Sequence, residues 1–99
     1  MTTDNHEYRM QRGRILKMLY RMYDQSMSIE NISLALHHIG IPAPAGVVKA
    51  HITYLEDRGF LREEEIKSRI GDVVKYRLTP EGVDFVEKDS SDDGIELGV

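Results

Sequence analysis

The stretch IPAPAGVVKAHITYLEDRGFL, residues 41–61, decides the fold, and its two halves differ in kind. Proline suits the first turn of a helix and holds the residue before it extended, so a helix is predicted to start near Pro44, after an extended Ala43. Val48, Ile52 and Leu55 then recur at helical spacing as a buried stripe, with Val47 and His51 beside it. Gly59 stops the helix, and Phe60 to about Ile66 reads as a strand. The other side of the helix carries Ala45, Gly46, Lys49, Ala50 and Thr53. Only Lys49 and Thr53 among these five have a side chain that hydrogen-bonds.

Upstream, Ile15, Leu16, Leu19, Met22 and Tyr23 fall on one face of a helix predicted over Tyr8–Tyr23. Gly13 inside it costs about 1 kcal/mol relative to alanine, so a bend or late start is expected there. Asp24-Gln25-Ser26 reads as a turn and Met27 as a very short strand. Ser28 is a good N-cap, and Glu30 suits the first turn of a second helix running to about His38. That helix is expected to bury Ile32, Ala35, Leu36 and Ile39. Gly40 ends it and Pro42 prevents continuation. Downstream, Val73–Leu78 is the partner strand of Phe60–Ile66, with Val74, Tyr76 and Leu78 inward and Lys75 and Arg77 outward. Lys67 to Asp72 form the loop between the strands. Thr79-Pro80-Glu81-Gly82 opens a short last helix holding Phe85 and the valines.

The predicted class is therefore α+β and mainly α: three helices, a two-stranded hairpin and a short C-terminal helix. Two helices joined by a short glycine-containing turn are a helix-turn-helix, and the hairpin behind them is a wing. The organisation expected is a frayed end over residues 1–7, one domain over 8–88 and a disordered acidic tail over 89–99.

Composition narrows the function classes. Of 99 residues, 40% are apolar and 30% charged, as in an ordinary globular chain. No apolar run approaches the ~20 residues that cross a bilayer, so no membrane partner is expected. The opening MTTDNHEYRMQRGR has no apolar secretory core. Cysteine is absent, which removes disulfides, thiolate metal sites and cysteine nucleophiles and fits a cytoplasmic location. The net charge is −4, and the last 13 residues, with five acids and one lysine, carry all of it. The remainder is neutral overall, yet residues 9–21 hold five basic side chains and no acid. No phosphate-cradling glycine loop, serine elbow or acid-base carboxylate pair stands out, so the chain is not read as an enzyme and no cofactor is expected.

Two strings carry a family resemblance. Tyr54-Leu55-Glu56-Asp57-Arg58-Gly59-Phe60-Leu61 is similar to the helix-to-wing junction of winged helix-turn-helix regulators of the ArsR/MarR kind. Tyr76-Arg77-Leu78-Thr79-Pro80-Glu81-Gly82 is similar to their exit from the wing. The resemblance spans about residues 10–88. Overall length, the junction and the short tail ending Gly98-Val99 also resemble ArsR-like proteins of Mu-like prophages. The resemblance implies a DNA-binding transcriptional regulator whose third helix lies in the major groove. Carried onto this chain, Ala45, Gly46, Lys49, Ala50 and Thr53 would meet base edges. Lys67 and Arg69 at the wing tip and the Ser28 helix start would hold phosphates. It also implies a homodimer built from terminal helices, with Tyr8, Met10, Met18, Tyr20 and Met22 as interface candidates.

Several features weigh against a strong DNA reader. Base edges are usually read by Arg, Lys, Asn or Gln. Here alanines and a glycine occupy most reading positions, which favours contact with thymine methyls and close backbone approach. Glu63-Glu64-Glu65 is expected to neutralise Lys75 or Arg77 across the ladder. The alternative function is a winged helix that binds protein and no DNA. The basic first helix is most simply a solvated face; it also suits an acidic partner surface, the chain's own tail among the candidates. His37, His38 and His51 have no usual metal-ligand spacing, so no metal site is assigned.

Overall fold

Ile15, Leu16 and Leu19 lie on one side of α1 (His6–Arg21) and are fully buried, so this helix is the spine of the molecule. The computed structural model describes residues 6–98. Residues 1–5 of the expected frayed end lie outside the described residues, whereas His6 and Glu7 are already helical. The helix closes at Arg21, two residues before the expected end. Tyr23 therefore misses the core and is exposed.

Helix α2 (Ile29–His38) begins as anticipated: the Ser28 hydroxyl accepts a hydrogen bond from the Asn31 amide at 3.1 Å. Ile32 and Leu36 are buried, but Ile39, expected inside, is 53% exposed because the helix has already ended. Gly40 takes φ of 82°, the left-handed conformation that glycine adopts without strain, and the Ile41 amide returns to the Leu36 carbonyl at 3.0 Å. Helix α3 (Ala45–Asp57) follows. Pro44 is its N-cap and not its first helical residue, with φ −62° and ψ 159°, so the entry is extended up to the last residue before the helix.

The wing is an antiparallel pair, β1 (Leu61–Ile66) and β2 (Val73–Leu78), with Leu61 opposite Leu78 and Glu64 opposite Lys75. The strand starts one residue after Phe60, whose amide still closes the end of α3 by bonding the Leu55 carbonyl. Tyr76 and Leu78 turn inward as the alternation requires, but Val74 borders an open groove with Ile29 and Glu30 and remains exposed. Met27 pairs with Tyr76 through two backbone hydrogen bonds of 2.9 and 2.8 Å, adding a third short edge and pinning the start of α2 to the wing. Helix α4 (Pro80–Glu87) is capped by Thr79, whose hydroxyl accepts from the Gly82 amide and donates to the Gly59 carbonyl. Phe85 is buried and stacks near Phe60, ring centres 4.4 Å apart.

The tail departs most from expectation. Its sequence is polar and acidic, but Ile95 and Leu97 are buried, 5% and 6% exposed. They are carried back to α1, where the Glu96 amide donates to the Arg9 carbonyl at 3.0 Å. Gly13 explains the route. A side-chain carbon there would collide with the Glu96 backbone carbonyl, so the bare helix face is the seat of the tail and not a flexible point in α1. Two apolar residues at i, i+2 are enough to anchor a segment when a groove without a Cβ receives its backbone.

Candidate nucleic-acid interface

The inward face of α3 is fastened before its outward face can serve anything. Val48, Ile52 and Leu55 are buried in the core, and so is His51, 1% exposed. Arg12 donates through Nε to His51 Nδ1 at 3.2 Å, and His51 Nε2 lies 2.7 Å from Gln11 Oε1. A guanidinium can only donate, so Nδ1 accepts and the ring proton sits on Nε2, pointing at the Gln11 carbonyl oxygen. This ties α3 to α1 by polar contacts and sets the rotation of α3. At the turn, Ser33 Oγ donates to the Ala43 carbonyl at 2.6 Å, so α2 also holds the approach to α3.

That rotation presents Ala45, Gly46, Lys49, Ala50 and Thr53 together on the exposed side of α3. Gly46 has no neighbour within 4 Å of where a side chain would begin, so no internal packing calls for glycine there. Thr53 Oγ1 donates to the Lys49 carbonyl at 3.1 Å, so its proton is spent within the helix and its lone pairs remain. Pro44 supplies no side-chain cap to the first amides of α3. Beside this face an open apolar groove of about 510 Å³ runs between α2 and the start of α3, bordered by Leu34, Pro42, Pro44 and Ala45. Leu34 is 56% exposed in it.

The wing is less positive than its basic residues suggest. Arg77 Nε lies 3.4 Å from Glu64 Oε2, an ion pair without hydrogen-bond alignment, and Ser26 Oγ donates to the other Glu64 oxygen at 3.0 Å. The expected neutralisation thus falls on Arg77. At the tip, Lys67 Nζ stands 3.9 Å from both Glu65 and Asp72, so the lysine expected to hold phosphate is itself flanked by carboxylates. Such exposed pairs are weak and open readily. Arg69 is exposed at the tip. The register adds a residue not singled out from the sequence: Arg62 lies directly opposite Arg77 on the same face as Lys75. Strand parity was the signal for it. At the junction with α3, the Glu56 carboxyl is raised above its ordinary pKa by burial, then by Glu63 and Asp57. This acidic corner opposes phosphate.

A second cluster joins α3 to the tail. Tyr54 Oη donates to Asp92 Oδ1 at 2.7 Å, and Arg58 donates to Tyr54 Oη at 2.9 Å and pairs with Asp92 Oδ2 at 3.4 Å. Arg12 stacks over the Tyr54 ring at 4.2 Å and donates to the Gly94 carbonyl at 2.9 Å. Burial first, and the bond to Asp92 next, push the Tyr54 phenol above its ordinary pKa. Sequence reading had no local signal for this cluster, because its members come from α1, α3 and the tail.

Four of the five residues expected at a dimer interface face different neighbours. Met18 and Met22 line a groove with α2, while Tyr20 faces α4 and donates to Glu87 at 2.8 Å. The Tyr8 ring meets the edge of His51 at 5.4 Å. Among the described residues no three His, Cys, Asp or Glu side chains gather as metal ligands, and no helix is long and apolar enough to cross a membrane.

Three helices, a helix-turn-helix and a two-stranded wing define the winged-helix class. The chain is similar in structure to a PadR family transcriptional regulator from Eggerthella lenta, with a TM-score of 0.63 and 22% identity over 80% of this chain and 70% of that one. It is likewise similar to a candidate transcriptional regulator from Thermoplasma acidophilum, with a TM-score of 0.66 and 21% identity over 80% of this chain and 79% of that one. A PadR family transcription regulator from Clostridium difficile matches with a TM-score of 0.65 and 17% identity over 76% and 80%. No protein-family model and no curated protein sequence matches the chain. Two of these three neighbours are described as PadR family proteins, and none as the ArsR/MarR kind that the junction strings resemble. The strings encode a helix stop and a capped wing exit, which many winged helices need, so they fix the fold and not the subfamily.

Proposed function

We propose that the chain is a DNA-binding transcriptional regulator of the winged-helix type, with α3 entering the major groove and the wing tip meeting the backbone. The observation that carries this reading is the common exposed face of Ala45, Gly46, Lys49, Ala50 and Thr53, held in rotation by the buried His51 network. Its solved neighbours are described as transcriptional regulators, which supports the same role. Lys49 is the main reading side chain. Ala45 and Ala50 suit thymine methyls, and Gly46 lets the helix backbone come close. Arg69 and the opened Lys67, with Ser28, hold phosphates. Few phosphates are neutralised, so the salt dependence is shallow and the specificity modest. The cytoplasmic location expected from the sequence goes with this role.

Fluorescence anisotropy with a random-sequence duplex, at low and physiological salt, tests it. Binding that weakens with salt and is lost in Lys49→Glu/Arg69→Glu supports the reading, and no binding at low salt sinks it. Self-association belongs to the same reading, with the half-buried Met10 of α1 as its candidate contact. Sedimentation of the wild type and Met10→Glu at two concentrations checks it. The alternative, a protein-binding winged helix, is favoured by the exposed apolar groove at Leu34, Pro42 and Pro44 and by the acids that flank Lys67 and Arg77.

A further inference from the structure

Away from α3 and the wing, α1 and α2 leave a second groove of about 360 Å³ between them. Its floor is Met18, Met22, Ala35, Ile39 and Ile41, and Ile39 is 53% exposed there with no packing role. Arg14, Lys17 and Arg21 line one rim, spaced i, i+3, i+7 along one outward stripe of α1. Among the described residues neither Lys17 nor Arg21 makes an ion pair. We infer that this groove is a docking site for an acidic amphipathic helix of a partner protein, apolar residues on the floor and carboxylates along the rim.

The chemistry selects that occupant. Two flexible, polarisable methionines adapt to side chains of differing shape, as promiscuous helix-binding grooves require. A helix laid between two helices presents its apolar stripe at i, i+3 and i+4 to such a floor. A row of cations on one side then fixes which flank of the incoming helix must be acidic. A phosphate backbone would satisfy the rim but leave the floor against water. A second copy fits poorly. A two-fold contact through this groove sets cations against cations, and the chain's own acidic helix, α4, has Phe85 buried and Val83 and Val86 packed against the core. The site shares no residue with the proposed DNA face, so it stands whether or not that reading does.

The test follows the methyl groups of Met18 and Met22 by NMR in the full chain. The probe is a synthetic helical peptide with leucines on one face and glutamates on its flanks, against a control with lysines for the glutamates. The expected result is a saturable shift of both methyls with the acidic peptide only, weakened at least about tenfold by Lys17→Glu/Arg21→Glu. Ile39→Ser, a change at an exposed position that leaves the fold intact, weakens it as well. Absence of shifts, equal shifts with the lysine peptide, or the same shifts caused by duplex DNA would each overturn the inference. So would shifts that grow with protein concentration alone, which would make a second copy the occupant.

Discussion

The acidic tail and the wing each behave contrary to their composition. The tail is polar, charged and rich in aspartate, yet Ile95 and Leu97 are buried and Asp92 is held by Tyr54 and Arg58. The wing has good strand alternation and hydrophobic residues, yet Ile66, Ile70, Val73 and Val74 are exposed. What separates them is the surface each meets. The tail meets a helix face cleared by Gly13, whereas the outer half of the wing faces only an open groove beside the start of α2. Composition reports what a segment could bury, and only the opposing surface decides whether it does.

Truncation at each region gives the largest contrast. Leu97→Ala is expected to cost about 2–4 kcal/mol of unfolding free energy, measured by denaturant titration, as for a buried leucine. Ile70→Ala in the wing, at a fully exposed position, should stay within about 0.5 kcal/mol. Equal, small effects would return the tail to disorder and break the comparison.

Gly13→Ala separates the two readings of that glycine by sign. Alanine in a helix free of the tail would stabilise by about 1 kcal/mol. Against the Glu96 carbonyl it should destabilise by about 1–3 kcal/mol and release the tail, seen as faster amide exchange at Ile95 and Glu96.

Asp92→Asn is a milder cut, expected to cost under about 1 kcal/mol because Arg58 is half exposed and the pair partly screened. Its signature is in titration. The Tyr54 phenol has a raised pKa in the folded chain, so the folded state holds that proton more tightly than the unfolded state does. The stability this contributes is present below the ordinary value of 10.0 and lost as pH rises through the folded value. Removing the Asp92 charge should lower the Tyr54 pKa, followed by phenolate absorbance, and shrink the alkaline loss.

Glu56→Gln is the smallest effect, a gain of about 0.3–0.5 kcal/mol at neutral pH. The Glu56 carboxyl is raised by burial and by Glu63 and Asp57, so its charged form opposes folding above that pKa and not below the ordinary one. Duplex affinity should rise slightly with the same change, as a charge that repels phosphate is removed.

Much of the architecture was legible because it is written locally. Ser28, Gly40, Pro44, Gly59 and Thr79 each punctuate the chain through their own backbone or cap chemistry, and the observed element boundaries fall within two residues of them. The outward face of α3 was legible too, since periodicity alone separates Val48, Ile52 and Leu55 from Lys49 and Thr53. Long-range seating was not. The Gly13–Glu96 contact, the Tyr54–Asp92–Arg58 cluster and the Gln11–His51 pair join residues more than thirty positions apart, and no local pattern marks either partner. The charges of the wing were half legible: strand parity gives Arg62 its face, but the register sets Glu64 opposite Lys75, and only the side-chain geometry shows that it engages Arg77.

The central claim is that the exposed face of α3 and the wing tip are where duplex DNA binds. Backbone amide shifts on addition of a random-sequence duplex at low salt test it most directly. Ala45, Gly46, Lys49, Ala50 and Thr53 are expected to shift together with residues 67–72 and Ser28, while Lys17, Arg21 and Ile39 do not. Shifts confined to α1 and the groove it forms with α2, or no shifts at all, would contradict it.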